Sequence, residues 1–280
     1  MTLSKLLSIP AVAVLILLLY LTWEYDDSYS WYLIPAALSL VVIYIMQPQL
    51  DWWWYNRYPP RLDDPMRQLL SRYFPFYQQL LPKDRLRFEQ RVALFPIAKE
   101  FIPKAMESVP DDVRTIIAAN AVQLTFGQKD YLLSKFERIV IYRQPFPSPQ
   151  YPQKRHASEL YEEDGVLLFS IDQMLAGALN SQKNFNLALY EWSRVFIRSF
   201  PKKNYPVFDD FIWEKLEAIS GFTEEFVKQY VGLDELETVA VAIVLYYTFP
   251  LNFKGQLPKA YEELKTVLNV DPIGNAVVLQ

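Results

Sequence analysis

The chain has 280 residues, 51% of them hydrophobic, with a formal charge of −4, one histidine and no cysteine. That length can bury a real core in one or two domains. The mildly acidic balance gives no electrostatic footprint for nucleic acid, and the absence of cysteine excludes disulfides, thiolate nucleophiles and cysteine-bound metal.

Leu3 to Trp23 is almost unbroken hydrocarbon, with Lys5 its only charge. A bilayer core of about 30 Å needs about 20 such residues as helix. A second block, Trp31 to Met46, is shorter and runs on toward Trp52, Trp53 and Trp54, residues that favour the headgroup level. Pro10 and Pro35 bend these helices without preventing them from spanning. The first block has no small-residue cleavage site before Glu24, and a second apolar block follows it, so a two-helix hairpin is expected over 1–50 rather than a signal peptide. The loop between the blocks holds Glu24, Asp26 and Asp27 and no base, whereas Lys5 lies at the outer end of the first block and Arg57, Arg61, Arg67 and Arg72 follow the second. The positive-inside rule then places both termini and the large domain in the cytoplasm, at the inner (cytoplasmic) membrane.

Residues 51–80 read as a juxtamembrane linker and leading helix, stiffened by Pro59, Pro60 and Pro65. Beyond it, Leu81 to Phe101 has the pattern of an amphipathic helix opened by Pro82, with Leu86, Val92, Leu94 and Phe95 as its apolar positions. A second helix is expected from Pro110 to Thr125, with Asp111 and Asp112 at its positive end and Gly127 closing it. Two strand-like runs follow, 137–143 and 165–171, separated by a Pro-, Tyr- and charge-rich excursion, Pro145 to Asp164, that reads as a loop. Three more helices are expected near 184–199, 234–248 and 258–268. Helices, a small sheet, then helices make an α+β domain over 81–280.

The segment with chemical content is Asn186-Leu-Ala-Leu-Tyr-Glu-Trp-Ser-Arg194. From Leu81 to Pro272, through LPKDRLRFEQRVALF, IIAANAVQLTFG, ERIVIYRQPF, VLLFSIDQMLAG and LPKAYEELKTVLNVDP, the chain resembles the Mlc titration factor A family of zinc metallopeptidases (peptidase family M90). The resemblance implies a mostly helical, zincin-like fold. It also implies an active helix bearing His-Glu-x-x-His, where residues four apart share one helix face so that both imidazoles reach one zinc and the glutamate acts as general base. Here those positions hold Tyr190, Glu191 and Arg194. A phenol with pKa ~10 stays protonated near neutrality, and a guanidinium has no lone pair to offer. The family's later acidic motif aligns Glu237 with its first acid and Val244 with its second, so at most one of those acids remains. Zinc is the family's metal, but its ligands are absent here, and no cofactor is expected. His156 alone cannot supply the three protein ligands that a catalytic zinc needs. It sits in a basic stretch that reads as a solvated loop.

Losing a divalent cation would leave buried carboxylate charge uncompensated, and Arg194 is placed to compensate it by pairing with Glu191 or Glu237. The alternative is a solvent-facing Arg194 beside a surface Glu191. Asp209-Asp210 and Glu224-Glu225 read as caps and solvated faces, and no phosphate loop or nucleophile elbow is present. These readings describe a pseudo-peptidase on the membrane that binds a peptide or protein partner or has a regulatory role. The alternatives are an active zinc peptidase with a non-standard metal site and a structural subunit of a membrane complex.

Overall fold

The computed structural model describes residues 2–274 and divides into two compact units, Met1–Pro60 and Arg61–Gln280. The first unit is helical: α1 (Leu3–Glu24), a 3-10 turn at Asp27–Tyr29, α2 (Ser30–Ile45) and α3 (Gln47–Arg57). Leu3–Glu24 and Asp27–Ile45 are each long and apolar enough to cross a membrane. The tryptophan-rich stretch is a separate helix, opened by Pro48 in its first turn. Its Asp51 carboxylate accepts from the Ser4 amide and hydroxyl, both at 2.8 Å, and so places negative charge at the N-terminus of α1.

The second unit begins with α4 (Asp64–Tyr73), α5 (Pro75–Gln79) and α6 (Pro82–Leu94), each with a proline in its first turn. Proline suits that position because its missing N–H has no partner there in any case. The expected helix to Phe101 is cut short. Pro96 falls inside a 3-10 turn, Phe95–Ala98, and the chain then extends as strand β1 (Glu100–Lys104). Phe88 and Val92 are buried on the inner face of α6, whereas Leu86 is 56% exposed and is not one of its core positions.

Helix α7 (Asp111–Leu124) follows, and only its first turn reaches solvent, with Asp111 and Asp112 near its positive end. Then come β2 (Arg138–Tyr142), β3 (Ser158–Tyr161) and β4 (Val166–Ser170). The excursion read as a loop contains β3 and, before it, an antiparallel bridge between Phe146 and His156. The sheet order is β1-β2-β4-β3: the first three strands are parallel, and β3 runs antiparallel to β4 at one edge. At the other edge, β1 tolerates Pro103 because an edge strand can spare a ladder N–H.

The remaining helices are α8 (Ile171–Leu179), α9 (Leu187–Ser199), α10 (Ile212–Ser220), α11 (Glu224–Val231), α12 (Thr238–Thr248), α13 (Pro250–Gln256) and α14 (Pro258–Leu268). Helix α9 is buried among α7, α8, α12 and β3, and one contiguous apolar core surrounds it. The result is an α+β domain, mostly helical with a small mixed sheet, as the sequence leads one to expect.

Two glycines end helices in the left-handed region, Gly221 after α10 and Gly232 after α11. A Cβ on Gly221 would meet nothing, but one on Gly232 would lie 2.5 Å from the His156 Cα and 2.8 Å from the Arg155 carbonyl oxygen. Gly221→Ala should therefore cost about 1 kcal/mol for the backbone alone. Gly232→Ala should cost clearly more, as read by thermal unfolding of the full chain in detergent; equal losses would mean that the close approach at Gly232 is not needed.

Candidate functional site

Helix α9 is fixed from its first residue. The Asn186 side chain caps it by accepting from the Leu189 amide at 3.0 Å, and donates at 3.0 Å to the Asn120 side chain, itself buried in α7. One turn on, the Trp192 indole N–H donates to the Ile117 carbonyl at 3.1 Å, and its ring meets Phe95 edge-on. These contacts lock one face of α9 onto α7. The opposite face, at spacings of three and four, carries Glu191, Arg194 and Arg198.

Glu191 is not a surface acid: it is 0% exposed. Its Oε1 accepts from the Ser158 hydroxyl on β3 at 2.6 Å, and Arg194 Nη1 donates to Oε2 at 2.9 Å. Arg194 Nε lies 3.4 Å from Glu237 Oε2, so the guanidinium sits between both acids, as charge compensation requires. Arg198 continues the series, reaching Glu237 and Glu162 at 2.8 Å each. Burial alone would pull the Arg194 pKa down, but the charge of Glu191, with smaller contributions from Tyr190 and Glu237, outweighs it and holds the group above its ordinary value. Arg194 is a fixed cation.

Tyr190 is 1% exposed and packs on Phe185. Its hydroxyl oxygen accepts the backbone N–H of Glu237 at 3.1 Å, and the guanidinium carbon of Arg194 stands 5.8 Å from its ring centre. Burial first, and the Glu191 charge second, push its pKa well above the ordinary phenol value. Val244, which the resemblance aligns with the motif's second acid, is buried in α12 and its side chain brings no oxygen.

His156 overturns the loop reading: it is 1% exposed. Its Nε2 lies 2.9 Å from Glu159 Oε2, and Phe146 and Tyr151 flank the ring. The Phe146 bridge and the close approach of Gly232 bury it. Ser158 and Glu159 are successive strand residues and so point to opposite faces of the sheet, which sets the histidine pair apart from Glu191. Sequence reasoning missed Ser158, Arg198 and Glu162. Arg198 was legible, being seven residues from Glu191 on the same helix face, but nothing local marked Ser158.

A mostly helical domain with α9 buried beneath an edge strand agrees with the zincin-like fold that the resemblance implies. The family model described as glucose-regulated metallo-peptidase M90 matches residues 50–268, and the chain belongs to that family. The match begins ahead of Leu81, taking in α4 and α5. An uncharacterized protein of Synechocystis sp. is 27% identical over 152 residues, 52% of each chain, so the chain spans about half the length of that relative.

The family is one of zinc metallopeptidases, so the residues here must be tested against that ion. At the positions that the resemblance aligns with the two imidazoles stand a protonated, buried phenol and a cationic guanidinium, and the guanidinium donates to Glu191 and approaches Glu237. Among the described residues no three of His, Cys, Asp and Glu converge as a metal-binding group. The donor set does not fit zinc.

If Arg194 neutralises a buried carboxylate, Arg194→Met should cost about 3–5 kcal/mol, and Glu191→Met added to it should recover most of that loss. Thermal unfolding of the single and double variants measures both. A single substitution within about 0.5 kcal/mol of wild type, as at an ordinary surface site, would refute the pairing's role.

Proposed function

We propose that this chain is a membrane-anchored, catalytically inactive member of the M90 family that acts by binding a protein or peptide in a regulatory role. The observation that carries the reading is the Arg194 guanidinium seated on Glu191, at the position where the family's second zinc-binding imidazole is expected. A general base needs access to water, and Glu191 is buried with both carboxylate oxygens hydrogen-bonded, by Ser158 and Arg194. The two apolar helices α1 and α2 support anchoring, and the basic residues that flank them support a cytoplasmic domain.

Edge strands offer peptides a place to add, and that mode of binding needs no metal. The burial of Tyr190, Glu191 and Trp192 also favours a second reading, in which the filled site belongs to a structural subunit of a membrane complex. Cross-linking in native membranes followed by purification separates the two. Fixed stoichiometric subunits indicate a structural role, and a partner that exchanges with free peptide indicates a binding module.

Full-length protein purified in detergent should carry zinc only at background level and leave peptide substrates uncut. Stoichiometric zinc, together with hydrolysis abolished by Glu191→Gln, would defeat the inactive reading. The double substitution Tyr190→His with Arg194→His rebuilds two ligands beside Glu237, and elemental analysis should then find zinc rising toward one ion per chain.

A further inference from the structure

We propose that the outer face of α6 docks onto an anionic phospholipid surface; the inference rests on the membrane-anchored reading above. Residues 61–91 hold seven bases against four acids, in a chain that is acidic as a whole. Among the described residues only one of these bases, Arg67, is paired with carboxylates, Asp64 and Glu89. Arg85 and Arg91 donate to backbone carbonyls. Among the described residues the other four have neither a carboxylate partner nor a backbone acceptor: Arg61, Arg72 and Lys83 are exposed, and half-buried Arg87 lies over the Phe126 ring.

Lys83, Leu86 and Arg87 stand three and four residues apart, so they share a helix face. That face lies opposite buried Phe88 and Val92, and on it Leu86 is 56% exposed, with Leu81 49% exposed just before the helix. Exposed leucines among lysine and arginine are the pattern of a helix lying in the headgroup layer: the apolar tips enter the acyl boundary and the cations meet lipid phosphates. The tether makes that surface available. Only Tyr58 to Asp63 separate α3 from α4, a run of about 20 Å at full stretch. Charge complementarity and this leash favour a bilayer over a soluble partner.

The chain has no cysteine, so a single Leu81→Cys or Leu86→Cys carries one polarity-sensitive fluorophore. Full-length protein is placed in nanodiscs of phosphatidylcholine alone or with phosphatidylglycerol, with a Val207→Cys label, on the far more exposed loop after α9, as the reference. The expected result is a blue shift at the α6 labels in the anionic discs only, reversed by high salt, lost with Lys83→Glu and Arg87→Glu together, and absent at the reference label. Identical emission in anionic discs, neutral discs and detergent overturns the proposal, as does an equal shift in both kinds of disc. A chain that fails to enter nanodiscs at all defeats the anchoring reading instead. Having two label positions keeps the test decisive if either variant fails to fold.

Discussion

A carboxylate without access to water must be met by charge and hydrogen bonds from the protein itself, and Glu191 sets that requirement at the centre of the domain. Desolvating an unpaired carboxylate costs several kcal/mol, which is a large share of the stability of any domain. The Ser158 hydroxyl and the Arg194 guanidinium meet the demand from two directions, one from the edge strand and one from the helix itself. In a zinc peptidase a metal ion would supply the positive charge. Here the Arg194 guanidinium, three residues along the same helix, brings positive charge to Glu191.

This requirement reaches beyond α9. The Arg194 and Arg198 guanidiniums hold the Glu237 carboxylate, and the Tyr190 hydroxyl accepts the Glu237 amide, so the entry to α12 is pinned to α9 through both backbone and side chain. Upstream, the Val231 carbonyl accepts the Ala157 amide, and Lys154 pairs with Asp234. The segment between α11 and α12 is thereby fastened at one end to the start of β3 and at the other to α9. Gly232 makes the first fastening sterically feasible, since any side chain there would strike the backbone of residues 155–156.

Elements whose burial follows from their own pattern were legible in the sequence. β2 and β4 are β-branched and apolar runs, α7 has an acidic first turn and an apolar body, and α9 begins at an asparagine cap. Elements made by tertiary context were not. β3 is four residues, Ser-Glu-Leu-Tyr, and two of its side chains are polar and buried only because Glu191 and His156 wait for them. β1 hides behind Pro103, which argues against a strand unless the strand is known to lie at an edge. Leu86 has the spacing of a core residue but faces outward, because Phe88 and Val92 set the true inner face of α6. The pairing of Arg194 with Glu191 or Glu237 was one of two readings open in the sequence, suggested by the resemblance; only the burial of Glu191 in the structure decides against a surface acid beside a solvent-facing arginine.

The series Glu191–Arg194–Glu237–Arg198–Glu162 alternates in sign from the core outward, with side-chain exposure of 0% at Glu191, 18% at Arg194 and 62% at Glu162. Its members are therefore unequal. At the outer end water screens the charges, and pairs of that kind contribute about 0–1 kcal/mol. At the inner end no water competes, so breaking the pair exposes the whole desolvation penalty. The outer arginine and acids act mainly by geometry, holding the β3–β4 hairpin and the start of α12 where they exclude solvent from the inner pair. The low dielectric that makes Glu191–Arg194 strong is thus maintained by contacts that are individually weak, and opening the rim would let water in and relax the core pair with it.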